Sequence, residues 1–236
     1  MNTDPGPRPG TGRPLGIVFD LDGVLVDSFS VMREAFAIAY AEVVGKGRPP
    51  FEEYNTHLGR YFPDIMRIMG LPLEMEAPFV RESYRLAHLV RVCDGVPEVV
   101  STLRDSGHRL AVATGKSGQR ARSLLDRLDL LDQFDVVVGS DEVARPKPAA
   151  EIVLRALGVL KVEVEDAMMI GDAVTDIASA RAAGVTAVAA LWGAEGDPIE
   201  LLNADPDIVL DTPACLLDLC PPVEAVGHHP AASQQG

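Results

Sequence analysis

Leu15-Gly16-Ile17-Val18-Phe19 runs without a break into Asp20-Leu21-Asp22-Gly23-Val24, and this junction decides the fold. Five residues with no polar side chain have the length and character of a strand buried on both faces. Two acids directly after such a run would be costly without a task. Comparable runs recur at residues 109–113, 134–138, 167–170, 186–190 and 207–210. Helical patterns at residues 97–104, 119–128, 149–157 and 175–183, the last followed by Gly184 as a C-terminal cap, fall between most of them. Strands alternating with helices predict an α/β core, a Rossmann-like doubly wound parallel sheet covered on both faces.

One segment breaks the alternation. Residues 28–92 contain no convincing strand, whereas Val31, Ala35, Ile38 and Ala39 recur at helical spacing and residues 63–69 and 74–91 also read as helical. The expected organisation is therefore a disordered leader (1–14), an α/β core (15–27 and 93–220) and an inserted all-helical cap (28–92). Hinges are expected near 27–29 and 92–95, and a disordered tail over 221–236. No internal repeat occurs.

The bulk composition excludes several classes. The 236 residues carry a formal charge of −14, which argues against nucleic acid or an anionic membrane as partner. No apolar run approaches the roughly 18–20 residues that span a bilayer. The Pro- and Gly-rich start lacks the apolar run of a secretory signal, so a cytoplasmic protein is expected. Cys93, Cys215 and Cys220 form no CxxC pair and read as reduced packing thiols. Nothing in the sequence sets an oligomeric state.

In an open α/β sheet, ligands bind beyond the carboxyl ends of the strands. Asp20 and Asp22 follow the first strand, and Thr114-Gly115-Lys116 the second. Arg145-Pro146-Lys147-Pro148 lies in the loop after the third, and Gly171-Asp172-Ala173-Val174-Thr175-Asp176 ends the fourth. Carboxylates gathered in a partly dry crevice repel and protonate unless a cation neutralises them. Asp20 and Asp172 supply the hard oxygens that Mg²⁺ takes, while Asp176 alone would serve equally as a helix cap. An EF-hand fails on spacing, since Gly23 is the fourth position of the loop and not the sixth. A P-loop would need Gly where Leu110 stands, and no GxGxxG follows a strand.

Asp20-x-Asp22-x-Val24, Thr114, Lys147 and Gly171-Asp172-(x)3-Asp176, in that order, resemble the motifs of the haloacid dehalogenase superfamily over about residues 15–220. The helical insertion resembles that superfamily's C1-type cap, as in phosphoglycolate phosphatase and β-phosphoglucomutase. The resemblance implies that Asp20 attacks phosphorus and becomes an aspartyl phosphate, and that Asp22 serves as acid and then base. It implies a metal site of Asp20, Asp172 and the backbone carbonyl of Asp22, with Asp176 holding a metal-bound water or orienting Lys147. Thr114 would hydrogen-bond the phosphate and Lys147 neutralise charge. Gly115 replaces an Asn common in phosphoglycolate phosphatases, which bears on whether Lys116 touches substrate. Arg60, in the loop Leu58-Gly59-Arg60, is a candidate for substrate recognition.

An Asp at position 22 favours phosphoryl transfer over dehalogenation, leaving phosphatase or sugar phosphomutase. Val31-Met32-Arg33-Glu34-Ala35-Phe36, Gly59-Arg60-Tyr61-Phe62-Pro63-Asp64 and Ala113-Thr114-Gly115-Lys116-Ser117-Gly118 further resemble phosphatases associated with 3-amino-5-hydroxybenzoate (AHBA) synthesis in ansamycin-type antibiotic pathways. The expected partner is a small phosphorylated metabolite. A phosphoacceptor signalling domain is the non-enzyme rival, but it has about half this length and no use for a cap.

Overall fold

The computed structural model describes residues 13–193 and 198–223. In chain order, β1 (Gly16–Phe19) and the two-residue β2 (Val26–Asp27) are followed by four helices, α1 (Phe29–Val43), α2 (Phe51–Asn55), α3 (Phe62–Met69) and α4 (Glu76–Leu86). The chain then returns through β3 (Arg91–Val92) to α5 (Val96–Asp105), β4 (Arg109–Thr114), α6 (Gly118–Arg127) and β5 (Val136–Gly139). It continues with α7 (Glu151–Leu160), β6 (Ala167–Gly171), α8 (Val174–Ala183), β7 (Thr186–Ala190), α9 (Pro198–Asn203), β8 (Ile208–Leu210) and α10 (Cys215–Leu219). The sequence thus anticipates the six strands of the large sheet, with small shifts at their ends.

The sheet order is β5-β4-β1-β6-β7-β8, with every neighbouring pair parallel. The chain builds outward from β1 on one side, then returns to its other side with β6. Order therefore reverses between β1 and β6, the switch point at which such sheets bind ligands. Successive residues of β1 face opposite layers. Ile17 and Phe19 pack with α5 and α6 through Val100, Leu103 and Leu125, whereas Val18 packs with α7 and α8 through Ile152, Ala156 and Ile177. Burial of both faces explains why the strands lack polar alternation.

The helices between β2 and β3 own a separate apolar core, in which Phe36, Phe51, Tyr54, Phe62, Ile65, Met66 and Phe79 meet. Phe62 and Phe79 stack at 4.1 Å between ring centroids. Gly70 ends α3 at φ 64°, the left-handed conformation of a helix terminus. The expected helix over 74–91 is a correction: it divides into a 3-10 turn at Leu73–Met75, α4, a 3-10 turn at Ala87–Leu89 and then strand β3. Residues 28–92 therefore do contain a strand. β3 pairs antiparallel with β2, Val26 opposite Val92 and Asp27 opposite Arg91, and a pairing so distant in sequence leaves no local periodicity.

The expected leader and tail lie mostly outside the described residues. At the tail's start, the Val223 N–H donates to Ser106 O at 2.9 Å. No helix among the described residues is long and apolar enough to cross a membrane. Phe36 is fully buried among the rings of the insertion, so Phe36→Ala should cost about 3–5 kcal/mol in urea unfolding. A loss below about 1 kcal/mol would mean that this core is not packed as described.

Candidate active site

Asp20 continues β1 by one residue: its N–H donates to Ile170 O at 2.8 Å, which holds it on the crevice floor, only 3% exposed. The chain then turns tightly through Gly23, at φ 78°. A Cβ on Gly23 would lie 1.9 Å from Asp172 Oδ2, so the missing side chain lets the loops after β1 and β6 meet. The Trp192 indole N–H donates to Val24 O at 2.9 Å and ties this turn to the loop after β7.

Three carboxylates converge there. Asp20, Asp172 and Asp176 each present an oxygen within 4.8 Å of the others. Lys147 Nζ sits among them, 2.9 Å from Asp20 Oδ1 and 2.6 Å from Asp176 Oδ1, with its side chain wholly buried. Burial by itself would lower the lysine pKa, but Asp176 and Asp20 override it and hold the ammonium above its ordinary value. One lysine does not balance three acids. Burial, with repulsion from Asp176 and Asp22, pushes Asp20 up to about 7 against the pull of Lys147. Asp172 stands well above its ordinary value through burial and the charges of Asp20 and Asp176.

This donor set fits a hard divalent cation. Asp172 makes no ion pair among the described residues, and the space beside its Oδ2 exists because residue 23 has no Cβ. Asp176 is more committed: Oδ1 faces Lys147 and Oδ2 accepts the Ala173 N–H at 3.1 Å. It therefore caps α8 and anchors the lysine at once. Asp22 sends its carboxylate elsewhere. It accepts the Ser28 hydroxyl proton and faces Lys116 Nζ at 3.1 Å, so its side chain stands apart from the acidic cluster. Burial opposes its ionisation, but Lys116 and Ser28 prevail and its pKa falls below the ordinary value.

Thr114, at the end of β4, is 1% exposed, and its Oγ1 accepts the Lys116 N–H at 3.2 Å. Gly115 is a contact point with the insertion, since a Cβ there would lie 2.6 Å from Gly59 O and 2.8 Å from Arg60 O. A side chain at Gly59 would in turn lie 2.1 Å from Thr175 Oγ1, the hydroxyl that donates to Leu58 O at 3.2 Å. The loop bearing Arg60 is thus docked on the strand ends. Arg60 is half-buried and lines a cavity of about 370 Å³ between sheet and insertion, with Asp20, Asp22, Thr114, Lys116 and Asp172.

Ser28, Tyr54, Arg120 and Trp192 also line this cavity and were not singled out from the sequence. Arg120, on α6, is 8% exposed, and its guanidinium lies 5.2 Å from the centre of the Phe79 ring on α4. Ser28 was within reach, as a hydroxyl at the expected hinge. Arg120 carried no signal, because an arginine near a helix start ordinarily reads as a surface residue.

Comparison with known proteins agrees with this geometry. The family described as haloacid dehalogenase-like hydrolase matches residues 17–190. A phosphoglycolate phosphatase of Caulobacter vibrioides is 35% identical over 223 residues, covering 87% of this chain and 93% of that protein. One from Aquifex aeolicus is 30% identical over 211 residues, covering 86% and 95%. A hydrolase from Pseudomonas syringae superposes with a TM-score of 0.77 at 23% identity, over 87% of this chain and 97% of that one, a likeness of fold. With its family motifs gathered at the switch point of the sheet, the chain belongs to the haloacid dehalogenase-like hydrolases.

Proposed function

We propose that this chain is a Mg²⁺-dependent phosphatase that hydrolyses a small phosphate monoester through an aspartyl phosphate on Asp20. The observation that carries the reading is the Lys147 bridge. A buried ammonium touches Asp20 and Asp176 together, so the nucleophile is oriented and partly neutralised where a phosphoryl group would arrive. The relatives named phosphoglycolate phosphatase support the reaction class.

An Asp20 oxygen attacks phosphorus and the bond to the alcohol oxygen breaks, while Asp22 gives that oxygen a proton. Asp22 then takes a proton from water, the water oxygen attacks phosphorus, and the Asp20–phosphorus bond breaks to release phosphate. Lys116 and Ser28 keep Asp22 ionised in the free site. A phosphoryl dianion docking beside it raises its pKa by like-charge repulsion, the change required before it can act as an acid. Thr114, which lines the cavity, would donate to a phosphoryl oxygen. A divalent cation held by Asp20 and Asp172, with the Asp22 carbonyl and Asp176 in support, would supply the positive charge that Lys147 alone does not. Residues 28–92 are read as the cap, hinged on the β2–β3 ribbon.

The volume and aromatic lining of the cavity support an ester larger than phosphoglycolate, since sites for drug-sized ligands occupy about 300–1,000 Å³. That accords with a ring-bearing intermediate of the AHBA pathway, the narrower reading implied by the sequence resemblance.

Asp20→Asn should lower turnover of p-nitrophenyl phosphate by at least about 10³-fold with an unchanged circular dichroism spectrum; a variant that keeps its activity refutes the nucleophile. EDTA should silence the wild type and excess Mg²⁺ restore it, whereas turnover indifferent to EDTA excludes a metal requirement. Without cation, folded Asp20 keeps its proton up to about pH 7, against an ordinary value of 3.8. The folded state then binds more protons than the unfolded across that window, so cation-free stability falls as pH rises through it. Mg²⁺ takes the place of the proton, so it should raise Tm more at pH 8 than at pH 5. An equal increment at both pH values would contradict cation binding at Asp20.

A further inference from the structure

Arg120 and Tyr54 are buried polar groups that the proposed chemistry leaves unused. Arg120 projects from the core helix α6 towards the insertion, and Tyr54 belongs to α2 of the insertion. They are 8% and 4% exposed and both line the cavity. Among the described residues the Arg120 guanidinium has no hydrogen bond and no ion pair. The face of Phe79 lies 5.2 Å away, and Asp22 and Tyr54 act on the guanidinium electrostatically. The Tyr54 hydroxyl likewise makes no hydrogen bond among the described residues.

This combination is unusual. A guanidinium carries five N–H donors in a fixed fork, and Arg120, largely enclosed but lining the cavity, is a charge whose enclosure an anion in that space would offset. The nearby anion does not resolve it. Asp22 influences Arg120 electrostatically, yet its oxygens are engaged by Ser28 and Lys116. Lys147 is engaged by Asp20 and Asp176. Of the buried cations in this region, Arg120 is the one whose donors remain open.

The geometry points to a second recognition site at the cap end of the cavity, in which Arg120 and Tyr54 bind a carboxylate on the alcohol portion of the phosphate ester. The inference rests on the phosphatase reading and deepens it by naming the substrate class: a phosphate monoester whose apolar body carries one carboxylate. A planar guanidinium matches a carboxylate through two parallel hydrogen bonds. The Phe79 face shields the pair from water, and Phe29 and Phe62 also line the cavity and can hold an apolar body. A single negative charge balances Arg120. A second phosphoryl group would bring about −1.5 to −2 and leave charge uncompensated in a corner that Asp22 and Glu76 already influence.

Matched aryl esters test this. In the wild type, kcat/KM for 3- or 4-carboxyphenyl phosphate should exceed that for phenyl phosphate by at least about 10-fold. Arg120→Gln should reduce this ratio by about 10- to 100-fold, Arg120→Lys should recover part of it, and Tyr54→Phe should lower it by about 2- to 10-fold. A purely structural arginine would depress both esters together and leave the ratio intact, which would overturn the inference. So would a preference for 1,4-phenylene bisphosphate over both carboxylated esters. Calorimetric binding in the Asp20→Asn background separates this claim from the catalytic one. The carboxylated ester should bind more tightly than phenyl phosphate, and adding Arg120→Gln should remove the difference. If the wild type hydrolyses no aryl phosphate, the phosphatase reading fails while the binding ratio still decides Arg120; equal affinities for the two esters defeat it.

Discussion

Mutual repulsion among Asp20, Asp172 and Asp176 is the constraint on which the site depends. Three carboxylates within 4.8 Å of one another, those of Asp20 and Asp176 buried and that of Asp172 half-buried, are stable only with compensation. The fold supplies one full positive charge, Lys147, delivered by the loop between β5 and α7 and in contact with both Asp20 and Asp176. The shortfall appears as raised proton affinity at Asp20 and Asp172. A site that would rather hold a proton than remain ionised is one in which a divalent cation binds well. Asp22 illustrates the opposite case on the same loop, because Lys116 and Ser28 satisfy it locally and it ionises readily.

The second organising contact is backbone against backbone. Gly115 and Gly59 bring the loop of the insertion onto the strand ends so closely that a methyl group at either position would collide with its neighbour. The short ribbon of β2 and β3 carries both connections between the sheet and the helices. The cavity therefore lies between the sheet and the helical insertion, which has an apolar cluster of its own and also sends Val31 and Leu86 into the core of the sheet. Residues such as Arg120 that cross this junction sense both sides.

Much of this was legible in the sequence, for physical reasons. Buried parallel strands are continuous apolar runs, so residues 186–190 coincide with β7 and residues 109–113 with all but one residue of β4. Acids placed directly after such runs betray the crevice, and Asp20 and Asp172 lie together there. What escaped was non-local. The β2–β3 ribbon depends on Val26 finding Val92, and helical periodicity ran through it. The resemblance implied that Asp176 could orient Lys147, as the 2.6 Å contact has it, but nothing local paired Asp22 with Lys116, since sequence supplies the carboxylates and not which cation each will face. Arg120 looked like any surface arginine until α4 covered it with Phe79.

The aspartyl phosphate proposed on Asp20 would bond phosphorus to one particular side-chain oxygen during turnover. It is tested most directly by acid-quenching the enzyme in the steady state, reducing it with borohydride and sequencing the peptides by mass spectrometry. An acyl phosphate is reduced to an alcohol, so homoserine should replace aspartate at position 20 in the wild type treated with substrate and nowhere else. Homoserine at another aspartate, or unmodified Asp20 under conditions that trap an acyl phosphate in a control enzyme, would contradict it.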